Sequence, residues 1–136
     1  MPLIVVTVIF HAYTLGLLNQ LVTFVLKGQG KKHLVDVVSL SVVGGTALCA
    51  TVLQGIEVAM WATAYFLLCA LPDRKGAMLY SLGAMTTSGN AYLTLESRWR
   101  LMGSLEALNG WILFGLTTAF LFTVIQEVWS HRNSHP

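Results

Sequence analysis

The chain has 136 residues, of which 55% are hydrophobic and only 10% are charged, and its mean hydropathy is +0.68. Soluble domains carry about 25% charged residues, so this composition excludes a soluble globular domain. The net charge of +2 is spread over the ends of apolar segments and offers no surface for nucleic acid. We expect one small, all-α unit embedded in a lipid bilayer, too short for a separate cytosolic domain.

The first apolar segment, residues 3–26, has no charged residue and is long enough to cross a bilayer with some tilt. A hydrophilic loop with three lysines, residues 27–33, follows it and is expected at the membrane face. Residues 1–33 are therefore interpreted as an N-terminal transmembrane helix and a basic loop. His11 interrupts the apolar run without a second ligand at helical spacing, which favours a packed neutral imidazole over a metal ligand.

The second apolar segment, residues 37–71, is longer than one span needs. Its glycine pair at 44–45 marks a bend or the end of an interfacial piece, so the span is predicted at 47–71, with Pro72 ending it. Glu57 is its only charged residue and must face the bundle interior with a partner or a proton. Two interpretations stay open: a hydrogen-bonded acid that orients the helix, or an ion or proton site.

The stretch 76–95 is uncharged, and its middle, residues 86–90, is the most polar run in any apolar part of the chain. As a weak spanning helix it would cross a core of roughly 30 Å, but it would place these polar residues at mid-membrane. The favoured alternative is a helix over 76–86 that reaches only about half way, roughly 16 Å, and then turns back. Non-helical backbone at that depth must be buried in protein or line a watery cavity.

A charged link at 96–100 leads to the last predicted span, residues 104–128. Glu106 lies in the first turns of this span and is a second candidate buried acid. Gly115 and Ala119 have the small-xxx-small spacing that lets helices approach closely. The basic residues are balanced between the two sides, so charge alone does not predict the orientation.

The order of a span, a short re-entrant helix, a polar turn and a span is that from which tetrameric cation channels build a pore. A half-helix ending at mid-membrane directs its partially negative C-terminus toward the pore axis and favours cations there. Oxygens of the following turn, repeated around a symmetry axis, can replace the hydration shell of an ion. Thr87 supplies such a hydroxyl, and Gly89 can adopt left-handed torsions.

Five runs of residues then carry a resemblance to a known family: Leu71-Pro72-Asp73, Met78–Leu82, Met85-Thr86-Thr87, Trp99–Gly103 and Leu105–Gly110. From about residue 47 onward, the chain resembles the small bacterial potassium-channel-like proteins with a two-helix pore domain, preceded here by an extra N-terminal span.

The resemblance implies a homotetrameric potassium-channel-like pore with three transmembrane helices per subunit plus a re-entrant pore helix and filter loop. The pore domain would cover residues 34–136, and its parts would be an outer helix 47–71, a pore helix 76–86, a filter 87–92 and an inner helix 104–128. The inner-helix residues expected to line the pore are Gly110, Gly115, Thr118 and Phe122. The family also implies a bacterial inner membrane, with the N-terminus outside and the C-terminus in the cytoplasm.

The filter departs from the family pattern, which reads threonine, threonine, a small apolar residue, glycine, tyrosine, glycine, aspartate. Those places hold Thr86, Thr87, Ser88, Gly89, Asn90, Ala91 and Tyr92 here. The alanine in place of the second glycine raises the cost of positive φ by roughly 1 kcal/mol or more. We therefore predict weak or altered selectivity among monovalent cations, K⁺ or Na⁺, with the permeant ion bound by Thr87, Ser88 and Gly89. No other cofactor is expected.

Three other classes of function are compared with the channel. A non-conducting, channel-like membrane subunit with a structural or assembly role is the main alternative. A proton-coupled transporter would use Glu57 or Glu106, but the sequence shows no inverted repeat. An enzyme is the least expected class, because the sequence contains neither a zinc-protease motif nor a glycine-rich phosphate loop.

Overall fold

The computed structural model describes residues 2–27, 35–89 and 93–133. Within these ranges it contains no strand and four α-helices: α1 (Pro2–Lys27), α2 (Val35–Leu67), α3 (Arg74–Met85) and α4 (Arg100–Asn133). α1, α2 and α4 are long and apolar enough to cross a membrane, which confirms the predicted all-α membrane architecture with three candidate spans. The basic loop from residue 28 onward and the filter positions Asn90, Ala91 and Tyr92 lie outside the described residues.

α2 begins earlier and ends earlier than the predicted span 47–71. α2 begins well before residue 47 because it continues through the glycine pair at 44–45 without a break. It ends before Pro72 because Cys69 adopts a left-handed φ of 52°. The Ala70 N–H then donates to the Tyr65 carbonyl at 2.9 Å, which completes the Schellman motif that closes many helices.

α3 begins with a side-chain cap. Asp73 has extended backbone torsions, and its carboxylate accepts a hydrogen bond from the Gly76 N–H at 2.8 Å. A Cβ on Gly76 would lie only 2.7 Å from an Asp73 carboxylate oxygen, so the glycine leaves room for the cap. The cap satisfies one of the free N–H groups at the start of α3.

The long helices alternate in direction. α1 runs parallel to α4, since Thr7 bonds to Asn109 near the start of both helices and Thr23 bonds to Glu127 near their far ends. α2 packs on α1, α3 and α4 and runs the opposite way, since Tyr65 near its end bonds to Glu106 and the earlier Gln54 bonds to Thr117.

α3 also runs parallel to α4, although it is far shorter. A Cβ on Gly103 would meet the Tyr80 hydroxyl, and a Cβ on Gly110 would meet the Met85 backbone. Both helices therefore start at the same end of the bundle, and α3 finishes beside Gly110, about a third of the way along α4. The main core lies between α2, α3 and α4 and includes the fully buried Leu113.

Candidate functional site

The C-terminus of α3 passes into a polar segment, defined here as residues 86–89. The Thr87 N–H donates to the Ala84 carbonyl, and the Gly89 N–H donates to the Gly83 carbonyl, both at 3.1 Å. Thr87 has a φ of 56° and Gly89 a φ of 69°. A left-handed φ is ordinary for glycine but costs a β-branched residue on the order of 1–3 kcal/mol. Such strained residues cluster at functional sites, which makes Thr87 a candidate.

The depth of this segment follows from its contact with α4. A Cβ on Gly110 would lie 2.9 Å from the Met85 Cα and 3.0 Å from its carbonyl carbon, so the two backbones are in close contact. Gly110 lies about 15 Å along α4 from Arg100, at a rise of about 1.5 Å per residue. Because the predicted span begins at Ser104, Gly110 lies about 9 Å inside it, roughly a third of a hydrocarbon core of about 30 Å.

The polar segment has few contacts with its own chain. All four of its residues are exposed, and the Thr86 and Ser88 hydroxyls lie 2.9 Å apart. Thr87 borders two cavities: one of about 610 Å³ between α2, α3 and α4, and one of about 560 Å³ between α3 and the start of α4. The side chains of the segment therefore face open space instead of a packed core.

The predicted pore-lining residues of α4 divide into two groups. Gly115, Thr118 and Phe122 are exposed, and their spacing places them on one face of the helix. Gly110 is buried against Met85, so in this chain it supports the end of α3 and does not lie on the open face.

Glu106 is fully buried behind α3 and joins three helices. The Tyr65 hydroxyl of α2 donates to Glu106 Oε2 at 2.7 Å. The Ser81 hydroxyl of α3 contacts Glu106 Oε1 and also lies 2.9 Å from the Val58 carbonyl oxygen of α2. Sequence reasoning identified this acid but not its partners, because hydroxyl groups 25 and 41 residues away give no local signal.

The aromatic rings beside Glu106 complete this contact. The Tyr80 ring packs edge-on against the Tyr65 ring, with centroids 5.3 Å apart, an arrangement that favours aromatic pairs. The absence of a side chain at Gly103 leaves room for the Tyr80 hydroxyl. α3 is therefore held against α2 and α4 by rings as well as by hydrogen bonds.

Glu57 lies in a second buried polar network, which attaches α1. His11 Nδ1 lies 2.9 Å from Glu57 Oε1, and His11 Nε2 lies 3.0 Å from the Thr117 hydroxyl. Gln54 Nε2 donates to the same hydroxyl at 3.2 Å. Both His11 and Glu57 have zero exposure. His11 is therefore packed in the bundle, as expected, and it is also the partner that the buried Glu57 requires.

The types of donor atom present indicate which ions this part of the chain could bind. The described residues contain no group of three or more His, Cys, Asp or Glu side chains that could hold a metal ion. The polar segment offers neutral oxygen atoms only, which are the ligands that channels use for weakly held monovalent cations.

Comparison with known proteins gives no match: no protein-family model, no curated protein and no solved structure matches this chain. The resemblance to potassium-channel-like proteins therefore stays a prediction, and the function is inferred from the residues described above.

Proposed function

We propose that this chain is one subunit of a homotetrameric, potassium-channel-like cation channel that passes monovalent cations, K⁺ or Na⁺, with weak or altered selectivity. The observation that carries the proposal is the relative position of α3 and α4. α3 stops beside Gly110, about a third of the way along α4, and α4 begins at the end of the bundle where α3 also begins.

This arrangement supports a re-entrant element. Because α3 and α4 start at the same end of the bundle, a chain that has descended to the level of Gly110 must return to reach Arg100. If α4 crosses the bilayer along the predicted span, the end of α3 lies within the hydrocarbon core, about 9 Å from the Ser104 end of that span. Backbone without helical hydrogen bonds at that depth must be covered by protein or line water.

The electrostatics of the segment favour cations. The C-terminus of α3 carries roughly half a negative elementary charge from its peptide dipoles, directed at the polar segment. Thr86, Thr87 and Ser88 add hydroxyl oxygens, and residues 86–89 contain no basic side chain. Anions would therefore be repelled from this position, and a partly dehydrated cation would be stabilised.

The exposure of the segment supports assembly around an axis. A single chain leaves residues 86–89 open on both sides, and it also leaves open the face of α4 formed by Gly115, Thr118 and Phe122. Four copies related by a rotation axis would cover these surfaces and arrange the Thr87 oxygens in a ring.

The sequence of the filter supports the weak selectivity. Thr87, Ser88 and Gly89 keep the residues for an inner ion site, whereas Asn90 and Ala91 replace the residues that form the outer sites in the family. We place the assembled protein in a bacterial inner membrane with the N-terminus outside, which follows from the same resemblance.

Flux into liposomes tests this function. We expect purified protein to carry K⁺ and Na⁺ at comparable rates, with Ca²⁺ carried more slowly. Thr87→Lys should abolish the flux, because an ammonium group at the axis repels cations. Ser97→Lys is the matched control, since Ser97 is exposed in the turn before α4, and this variant should conduct like wild type. A tetramer without flux would identify a non-conducting subunit, and full flux through Thr87→Lys would refute the proposed site.

A further inference from the structure

We propose that Glu106 is a neutral, protonated acid whose hydrogen bonds position α3, and with it the polar segment, so that Glu106 is a positioning residue for ion selectivity. The part that concerns selectivity rests on the channel function proposed above.

The number of protons available to the hydrogen bonds around Ser81 supports a protonated Glu106. The Ser81 hydroxyl has one proton but lies within hydrogen-bonding distance of two oxygen atoms, those of Glu106 and the Val58 carbonyl. The Val58 carbonyl can only accept, so when Ser81 donates to it, the proton between Ser81 and Glu106 must come from the acid. Tyr65 donates to the other carboxyl oxygen. A protonated Glu106 thus satisfies every polar atom in one directed chain from Tyr65 through Ser81 to Val58.

Among the described residues, no cationic side chain is in contact with Glu106, and the two hydroxyl groups are the polar side chains that bond to it. The titratable groups that face it are Tyr65 from α2 and Tyr80 from α3, and both are neutral phenols. His11, the buried base of α1, is engaged with Glu57.

Of the described arginines near the ends of these helices, Arg100 is exposed and the other two contact other side chains. Arg74 lies over the Phe66 ring at 5.0 Å, and Arg98 pairs with Glu96 at 2.8 Å. Because Glu106 is fully buried, an ionised form would have neither water nor a cation beside it, which costs several kcal/mol.

The same bonds fix the height of α3 against α4. Ser81 precedes Thr86 by little more than one helical turn, about 7.5 Å along α3. A change at Glu106 therefore shifts the helix whose end sets the position of the Thr87 oxygens. Binding sites lose function when their supporting residues allow a displacement of about 1 Å.

Two substitutions of Glu106 separate positioning from charge. In Glu106→Gln the amide oxygen can accept from Tyr65 while the amide NH₂ donates to Ser81, which reproduces the pattern of the protonated acid. We expect this variant to keep the wild-type ratio of K⁺ to Na⁺ flux. Glu106→Ala removes both bonds and should change the ratio severalfold.

Ser81→Ala provides a second variant if Glu106→Ala does not assemble. It removes the link between Glu106 and α3 with little change in volume, and it should change the ratio in the same direction. An unchanged ratio in Ser81→Ala and in any Glu106→Ala protein that assembles would overturn the positioning role, as would a Glu106→Gln ratio that changes as much as theirs.

Infrared spectroscopy tests the proton independently of conduction. The difference spectrum of wild type minus Glu106→Gln at neutral pH should contain the C=O stretching band of a protonated carboxylic acid. Carboxylate bands in its place would overturn the neutral acid. Wild-type protein that carries no cations would refute the channel, whereas the infrared band would still decide the state of Glu106.

Discussion

Glu57 and Glu106 are two buried acids in one small bundle, and they have different kinds of partner. Glu57 contacts a base, the His11 imidazole, while Glu106 contacts only the hydroxyl groups of Tyr65 and Ser81. The first network attaches α1 to α2 and α4, and the second attaches α3 to the same pair. A carboxyl group without water is stabilised either by a nearby base or by a proton. Glu57 has a nearby base, whereas for Glu106 we propose a proton.

The comparison predicts that loss of the base beside Glu57 has the largest effect on stability. His11→Ala leaves this acid buried without its partner, which should lower the free energy of unfolding by about 3–5 kcal/mol. Unfolding in mixed detergent measures this change. Tyr13→Ala is the control on α1, because Tyr13 is 67% exposed and should shift the midpoint little.

The double variant His11→Leu with Glu57→Leu sharpens this test. Replacing both partners of a buried pair with apolar residues is often neutral, so the double variant should recover most of the stability lost in His11→Ala. A His11→Ala protein as stable as Tyr13→Ala would show that the pair does not hold α1.

The contact between α3 and α4 should give the next largest effect. Gly110→Ala places a Cβ against the Met85 backbone, which cannot move aside as a side chain could, and should cost about 1–3 kcal/mol. Gly115→Ala is the matched control on the same helix, because no atom lies within 4 Å of its added Cβ. Equal unfolding midpoints for the two variants would contradict the close approach of α3 to α4.

The start of α3 should give the smallest of these effects. Asp73→Ala removes the cap on the Gly76 N–H and should cost about 1 kcal/mol. Glu96→Ala removes an ion pair whose side chains are both 67% exposed, so it serves as a control with little expected change. Thermal unfolding of the two variants compares them, and a larger loss in Glu96→Ala would reverse the expected order.

The sequence predicts the three long helices because apolar segments of this length with so few charged residues have few alternatives. It also identifies Glu57 and His11 as isolated polar residues, but the pairing between them spans 46 positions and depends on how α1 packs. The sequence pattern predicts that α2 ends at Pro72, whereas the left-handed Cys69 closes the helix earlier. Cysteine is not a usual residue for this conformation, so composition gives no warning of it.

A structure of the assembled protein in a lipid membrane with K⁺ tests the central claim most directly. We predict four copies around one axis, with the Thr87 oxygens of all copies facing it and density for a cation between them. Copies without a common axis, or a polar segment that faces lipid, would contradict the account.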